Sequence, residues 1–290
     1  MTGTCGPNVQ NVLQERRDAG APEAYSRAMR ERTDEDELRA VLTGEHPTLL
    51  QFRRRLKRVP ASPRCKLCAA PFGGPGGAIL RHFGFGRFAG NPAMCDKCIR
   101  RFSSHGIAGT EIPVTLLFAD VRGSTGIAER MRPVEFRAFL DRFYRIATGA
   151  IVAHDGLVDK FVGDEVIGLF FGGVTGPGHA AAGIAAAIDL MGRAGRNDAT
   201  PMGPIPVGAA VDSGEAYVGG SGPKGMIDDF TALGDTVNIT ARLASVAAAG
   251  ELLISVRAAE AARRPIDDSE RRSLDIRGRQ ESVEVVALRP

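Results

Sequence analysis

No apolar stretch in this chain reaches the roughly 18 to 20 residues that a membrane-crossing helix needs. The most apolar run, Ala180 to Ile188, is short and stops at Asp189. The first residues, MTGTCGPNVQNVLQERR, lack the apolar core of an export signal, so a cytoplasmic location is expected. Cysteine is scarce at five residues, and four of these form two pairs, Cys65 with Cys68 and Cys95 with Cys98, leaving Cys5 over. Such pairs without an export signal point to metal rather than disulfides. A Walker-type phosphate loop is missing too. GGSGPKG, Gly219 to Gly225, has the composition but not the GxxxxGK spacing or a helix behind it, and reads as a loop between strands. Internal repeats are absent.

What is present is enough for two domains: 290 residues, 43% hydrophobic and 24% charged. The formal charge of +3 hides an asymmetry. Residues 1–110 hold 18 Lys+Arg against 10 Asp+Glu, and the remainder 19 against 24. Much of the basic excess lies in RRRLKR, Arg53 to Arg58. With no aromatic interleaving and no nucleic-acid signature around it, this run reads as the solvated side of a helix, and nucleic acid is not an expected partner.

Residues 1–33 are polar and aperiodic, which predicts a frayed or disordered segment with at most a short helix at Tyr25 to Arg32. From Thr33, TDED followed by Leu38, Val41 and Leu42 reads as an N-cap with an acidic first turn. After Pro47 a second helix should carry Leu49, Leu50, Phe52 and Leu56 and end before Pro60, so residues 34–60 form short helices, packed on the next module or across a dimer. Residues 61–104, with PFGGPGG and GFGRFAGNP, predict turns around a small metal-stapled module. Glu111 to Pro113 marks the junction, and PVTLLFAD then reads as a buried strand.

Strands and helices alternate beyond it: a helix over Pro133 to His154, a hairpin over Gly156 to Phe171 and a helix over Pro177 to Arg193. Strands at Ile205 to Val211 and Glu215 to Gly219, a helix over Asp235 to Ala248, and strands at Glu251 to Ser255 and Ser282 to Leu288 complete residues 110–290. The expected fold is α+β, an antiparallel-rich sheet of ferredoxin-like type with helices on one face.

Three segments carry the chemistry. In FADVRGST, Phe118 to Thr125, a strand ends at Asp120 and a turn of Gly123, Ser124 and Thr125 opens a helix; the carboxylate can hold Mg²⁺ and the helix start can receive phosphate. In DKFVGDEVIGLF, Asp159 to Phe170, a turn bears Gly163 and Asp164, which approaches Asp120 if the strands are neighbours. Two carboxylates beside a phosphate cradle suit two-metal phosphoryl transfer. In FTALGDTVNITARL, Phe230 to Leu243, Asn238 and Arg242 stand four apart on one helix face. Singly, each is ordinary: Asp120 as a helix cap, Lys160 and Arg242 as surface charges.

In this order the three segments resemble the catalytic domains of class III adenylate and guanylate cyclases, over about 180 residues. The resemblance implies that Asp120 and Asp164, with the Val121 carbonyl, hold two Mg²⁺ or Mn²⁺ ions. It implies that Lys160 and Thr231 read the purine, that Asn238 orients the ribose, and that Arg242 stabilises the transition state. It further implies a head-to-tail homodimer with two shared sites, and conversion of ATP to cyclic AMP and pyrophosphate. Lys160 can donate to adenine N1 and the Thr231 hydroxyl can accept from the exocyclic amine, but a hydroxyl also donates, so GTP stays open. VGDEV is similar to the signature turn of diguanylate cyclases, where FTALGDTVNITARL would have no role. The rival reading is a nucleotide-binding regulatory module whose N-terminal half contacts a partner. CKLC and CDKC, separated by 26 residues, predict structural zinc of Cys₄ ribbon type, with an iron–sulfur cluster or redox thiols as the alternatives.

Overall fold

The computed structural model describes residues 34–88, 93–104, 109–196, 203–221, 229–266, 271–275 and 282–290. The expectation for residues 1–33 lies outside them.

The segment PVTLLFAD lies in β1, Gly109–Val121, which takes an interior position in the sheet. It pairs antiparallel with β3, Glu165–Phe171, on one side and with β4, Val207–Ser221, on the other. Alternation along β1 sends Val114, Leu116 and Phe118 into one hydrophobic cluster and Leu117, Ala119 and Val121 into a second. A strand apolar on both faces must be covered on both. With β2 at Leu157–Val162, β5 at Asp229–Leu233, β6 at Leu252–Ser255, β7 at Arg271–Leu274 and β8 at Val283–Leu288, the strand order is β2-β3-β1-β4-β6-β8-β7, and β5 pairs with β4.

One face is covered by two long helices, Pro133–Ala153 and His179–Ala194. The first opens with Pro133 after Arg132, whose backbone N–H donates to the Glu135 carboxylate at 3.0 Å, and buries Phe139, Phe143, Ala147 and Ile151, the spacing of a single helical stripe. Each large side chain buried this way contributes about 1.5–3 kcal/mol. The other face carries the helix Asp235–Val246 together with the N-terminal helices at residues 34–43 and Pro47–Lys57 and the cysteine module. The expectation of helices on one face is therefore corrected.

Close backbone contact joins the N-terminal helices to the sheet. A Cβ at Gly172 would lie 2.1 Å from the Thr43 carbonyl oxygen, so only glycine fits. Arg53 donates to the carbonyls of Gly173 at 2.8 Å and Val174 at 3.4 Å. One residue of the basic run thus docks instead of facing solvent, while Arg54, Arg55, Lys57 and Arg58 are exposed.

Two further expectations fail. Ile205 to Val211 and Glu215 to Gly219 belong to one strand, unbroken from Val207↔Val121 to Gly219↔Gly109. The polar Asp212 between them is buried and paired with Arg257, so it interrupts apolarity without turning the chain. In the cysteine module, Gly74–Leu80 is a helix that widens into a π turn at Arg81–Phe85, where PFGGPGG and GFGRFAGNP were expected to make turns, and Asp96–Ser104 is a second helix. Pro75 sits at the start of the first helix, where its missing N–H costs nothing, and Gly77 gives room for the Phe72 backbone.

Candidate active site

Asp120 stands one residue from the end of β1, with Glu165 as its cross-strand partner. The turn bearing Asp164 is fastened to it: the Val121 N–H donates to the Asp164 carbonyl at 3.2 Å. The same turn contains Gly163 at φ 61°, and the Tyr144 hydroxyl donates to the Gly163 carbonyl. Tyr144 also packs on Phe161, with ring centroids 4.6 Å apart. The two aspartates that the sequence placed in separate segments are therefore neighbours.

Their electrostatics show what they want. Burial pushes the Asp120 carboxyl up to about 6, with Asp164 adding to the rise and Arg122 opposing it. Burial also pushes Glu165 up to about 7, reinforced by Asp120 and Asp164. Burial, with Asp164 beside Asp120, disfavours negative charge at this corner, which a bound cation would relieve, and hard oxygen donors are what Mg²⁺ and Mn²⁺ bind. The donor set fits such an ion. Arg122, whose importance the sequence did not signal, ion-pairs with Asp120 and donates to the Ser245 carbonyl at 2.9 Å. It ties this corner to the end of the helix Asp235–Val246.

Gly123 adopts the left-handed region at φ 67° and opens the helix Ser124–Ala128, a single turn. On the helix Asp235–Val246, Asn238 and Arg242 are both exposed, one turn apart.

Lys160 and Thr231 lie on β2 and β5 and are joined by a residue the motif reading passed over. The β2–β3 register shifts between Val158 and Lys160, leaving Asp159 as the extra residue of a bulge. Its side chain is 3% exposed, accepts from the Thr231 hydroxyl at 2.9 Å and lies 3.9 Å from the Lys160 ammonium. Asp159 sits inside the quoted string, but a bulge leaves no mark on strand periodicity.

The four cysteines form a second donor cluster. Cys65 and Cys98 sulfurs are 3.8 Å apart, Cys68 and Cys95 3.7 Å, and all four lie within 4.8 Å of one another. All are buried free thiols. Contacts with Cys68, Cys95 and Cys98 hold the Cys65 thiol below its usual range, whereas contacts within the cluster and burial push Cys68 and Cys98 up. The cluster can hold a metal ion, and its residues share a hydrophobic cluster with β1.

A mixed sheet that brings Asp120 and Asp164 together at adjoining strand ends, with Asn238 and Arg242 on an exposed face of a separate helix, is the architecture of a nucleotide cyclase domain. The family described as "Adenylate and Guanylate cyclase catalytic domain" matches residues 108–289. This chain belongs to that family. An adenylate cyclase of Anabaena cylindrica is 32% identical over 168 residues, 55% of this chain and 32% of the relative. Adenylate cyclase 1 of Rhizobium meliloti is 31% identical over 136 residues, 45% of this chain and 20% of the relative. The chain thus spans a third or less of the length of these relatives. Among solved structures, the guanylyl cyclase Cya2 is similar with a TM-score of 0.54 and 25% identity, covering 62% of this chain and 93% of that one. The adenylyl cyclase CyaB from P. aeruginosa has the same fold, with a TM-score of 0.54 at 24% identity over 62% of this chain and 94% of that one. Among the described residues, no helix is long and apolar enough to cross a membrane.

Proposed function

We propose that the chain converts ATP to 3′,5′-cyclic AMP and pyrophosphate. The observation that carries this reading is the junction of Asp120 with Asp164 in a chain of the cyclase family. Asp120, Asp164 and the Val121 carbonyl would hold two Mg²⁺ or Mn²⁺ ions, which when bound supply acidification of the ribose 3′-hydroxyl and charge neutralisation on the phosphates. Gly123, Ser124 and Thr125 receive phosphate oxygens at their turn. Asn238 orients the ribose for in-line attack, and Arg242 meets charge developing on the α-phosphate. Lys160 donates to adenine N1, and Thr231 faces the exocyclic amine. The working form is a head-to-tail homodimer in which one subunit supplies the aspartates and the other the remaining groups.

The experiment is product analysis. Purified chain with Mn²⁺ or Mg²⁺ should turn ATP into cyclic AMP and equimolar pyrophosphate. ATP bound without either product contradicts the reading. Preferential cyclic GMP from GTP would instead support the second reading, guanylate cyclase, which the likeness to Cya2 favours.

At the four cysteines the reading is one structural zinc ion. A zinc–thiolate bond of about 2.3 Å gives a tetrahedron with edges of about 3.8 Å. The sulfur separations of 3.7 and 3.8 Å support a single ion of that size. Iron–sulfur clusters distribute their thiolates around several irons and space them more widely.

A further inference from the structure

We infer that Asp159 is a positioning residue that fixes the purine preference by locking the direction of the Thr231 hydroxyl. The inference deepens the cyclase reading and rests on it.

A hydroxyl can donate one hydrogen or accept through its oxygen, so Thr231 alone does not distinguish a 6-amino purine from a 6-oxo purine. In the structure that hydrogen is committed. Thr231 donates to the Asp159 carboxylate at 2.9 Å, and the alternative acceptor, the Ala232 carbonyl at 3.5 Å, also lies inside the protein. As a carboxylate, Asp159 has only acceptor sites, so the hydrogen of this bond comes from Thr231. The Thr231 oxygen then faces a ligand as an acceptor. An exocyclic amine satisfies it, whereas a 6-oxo group would set acceptor against acceptor and leave a buried polar atom unpaired. Thr231 is 3% exposed, so water does not easily fill that gap.

Two features hold Asp159 in this role. The bulge between Val158 and Lys160 places an extra residue where β2 meets β5, and the Lys160 ammonium at 3.9 Å offsets the buried charge. All three residues come from one chain, so the base-reading group is complete within a subunit even where the full site is shared.

The test uses the full chain with Mn²⁺ and 3′-deoxy triphosphates, which have no hydroxyl to attack. Equilibrium binding compares 3′-deoxy-ATP with the same compound lacking the 6-amine, and with 3′-deoxy-GTP. In the wild type the amine should tighten binding by about tenfold. Thr231→Ser should keep that advantage and Thr231→Val should lose it. Asp159→Leu should lose it too, bringing the two adenine-type ligands within about twofold, while Asp159→Asn, which retains an acceptor oxygen, should keep most of it. A merely structural Asp159 would weaken all three ligands in parallel. The inference is overturned if the wild type gains nothing from the amine, if it prefers the guanine ligand, or if folded Asp159→Leu keeps the wild-type ratio. Should Asp159→Leu not fold, Asp159→Ala replaces it. Wild type binding no purine triphosphate at all would remove the cyclase reading itself, a result distinct from binding with the wrong preference.

Discussion

The chain has two donor clusters of opposite chemistry, and under the proposed function the difference between them separates catalysis from architecture. At the end of β1, hard carboxylates stand half-buried, and burial with the neighbouring Asp164 raises Asp120 to about 6 and Glu165 to about 7. Behind the sheet, four thiols are buried together in the same hydrophobic cluster as Val114, Leu116 and Phe118. Soft donors closed off in a core hold an ion permanently. The oxygen corner should thus govern turnover with little effect on folding, and the sulfur corner should do the reverse.

The largest expected effect comes from breaking the oxygen corner. Asp164→Ala should lower turnover by at least about 10²–10³-fold, with thermal unfolding close to wild type because the turn backbone keeps its bonds. Arg242→Ala should be similarly inactive, and mixing the two inactive proteins should restore part of the activity by forming one intact shared site. No recovery in demonstrated heterodimers would remove the shared-site arrangement.

The sulfur corner should respond oppositely. Cys95→Ser should lose the bound metal, read by elemental analysis at one zinc per wild-type chain, and destabilise the fold by several kcal/mol. A metal-free Cys95→Ser protein that melts like wild type would show the module to be peripheral. The smallest effect is expected at the docking contact between the regions. Arg53→Ala removes two hydrogen bonds to the carbonyls of Gly173 and Val174 and should cost about 1–2 kcal/mol in thermal or denaturant unfolding.

How much of this was legible in the sequence follows from how each feature is encoded. The helices over Pro133–Ala153 and His179–Ala194 and the β2–β3 hairpin lie where periodicity put them, because local pattern specifies them. β7, Arg271–Leu274, is polar and largely exposed, so no apolar alternation announced it. The continuity of β4 was hidden because Asp212 looks like a break until Arg257, 45 residues away, pairs with it. In the site, Asp120, Asp164, Lys160, Thr231, Asn238 and Arg242 carried recognisable contexts. Arg122, Asp159 and Glu165 have partners on other elements, which only the fold supplies. The four cysteines were legible as a metal set, but their burial against β1 was not, since nothing in CKLC or CDKC says which sheet face will cover them.

The most direct measurement is product analysis of the purified chain with ATP and Mn²⁺, alongside Asp164→Ala. The account predicts cyclic AMP and equimolar pyrophosphate from the wild type and neither above background from the variant. Equal product from both proteins, or ATP binding by the wild type with no product, would contradict it.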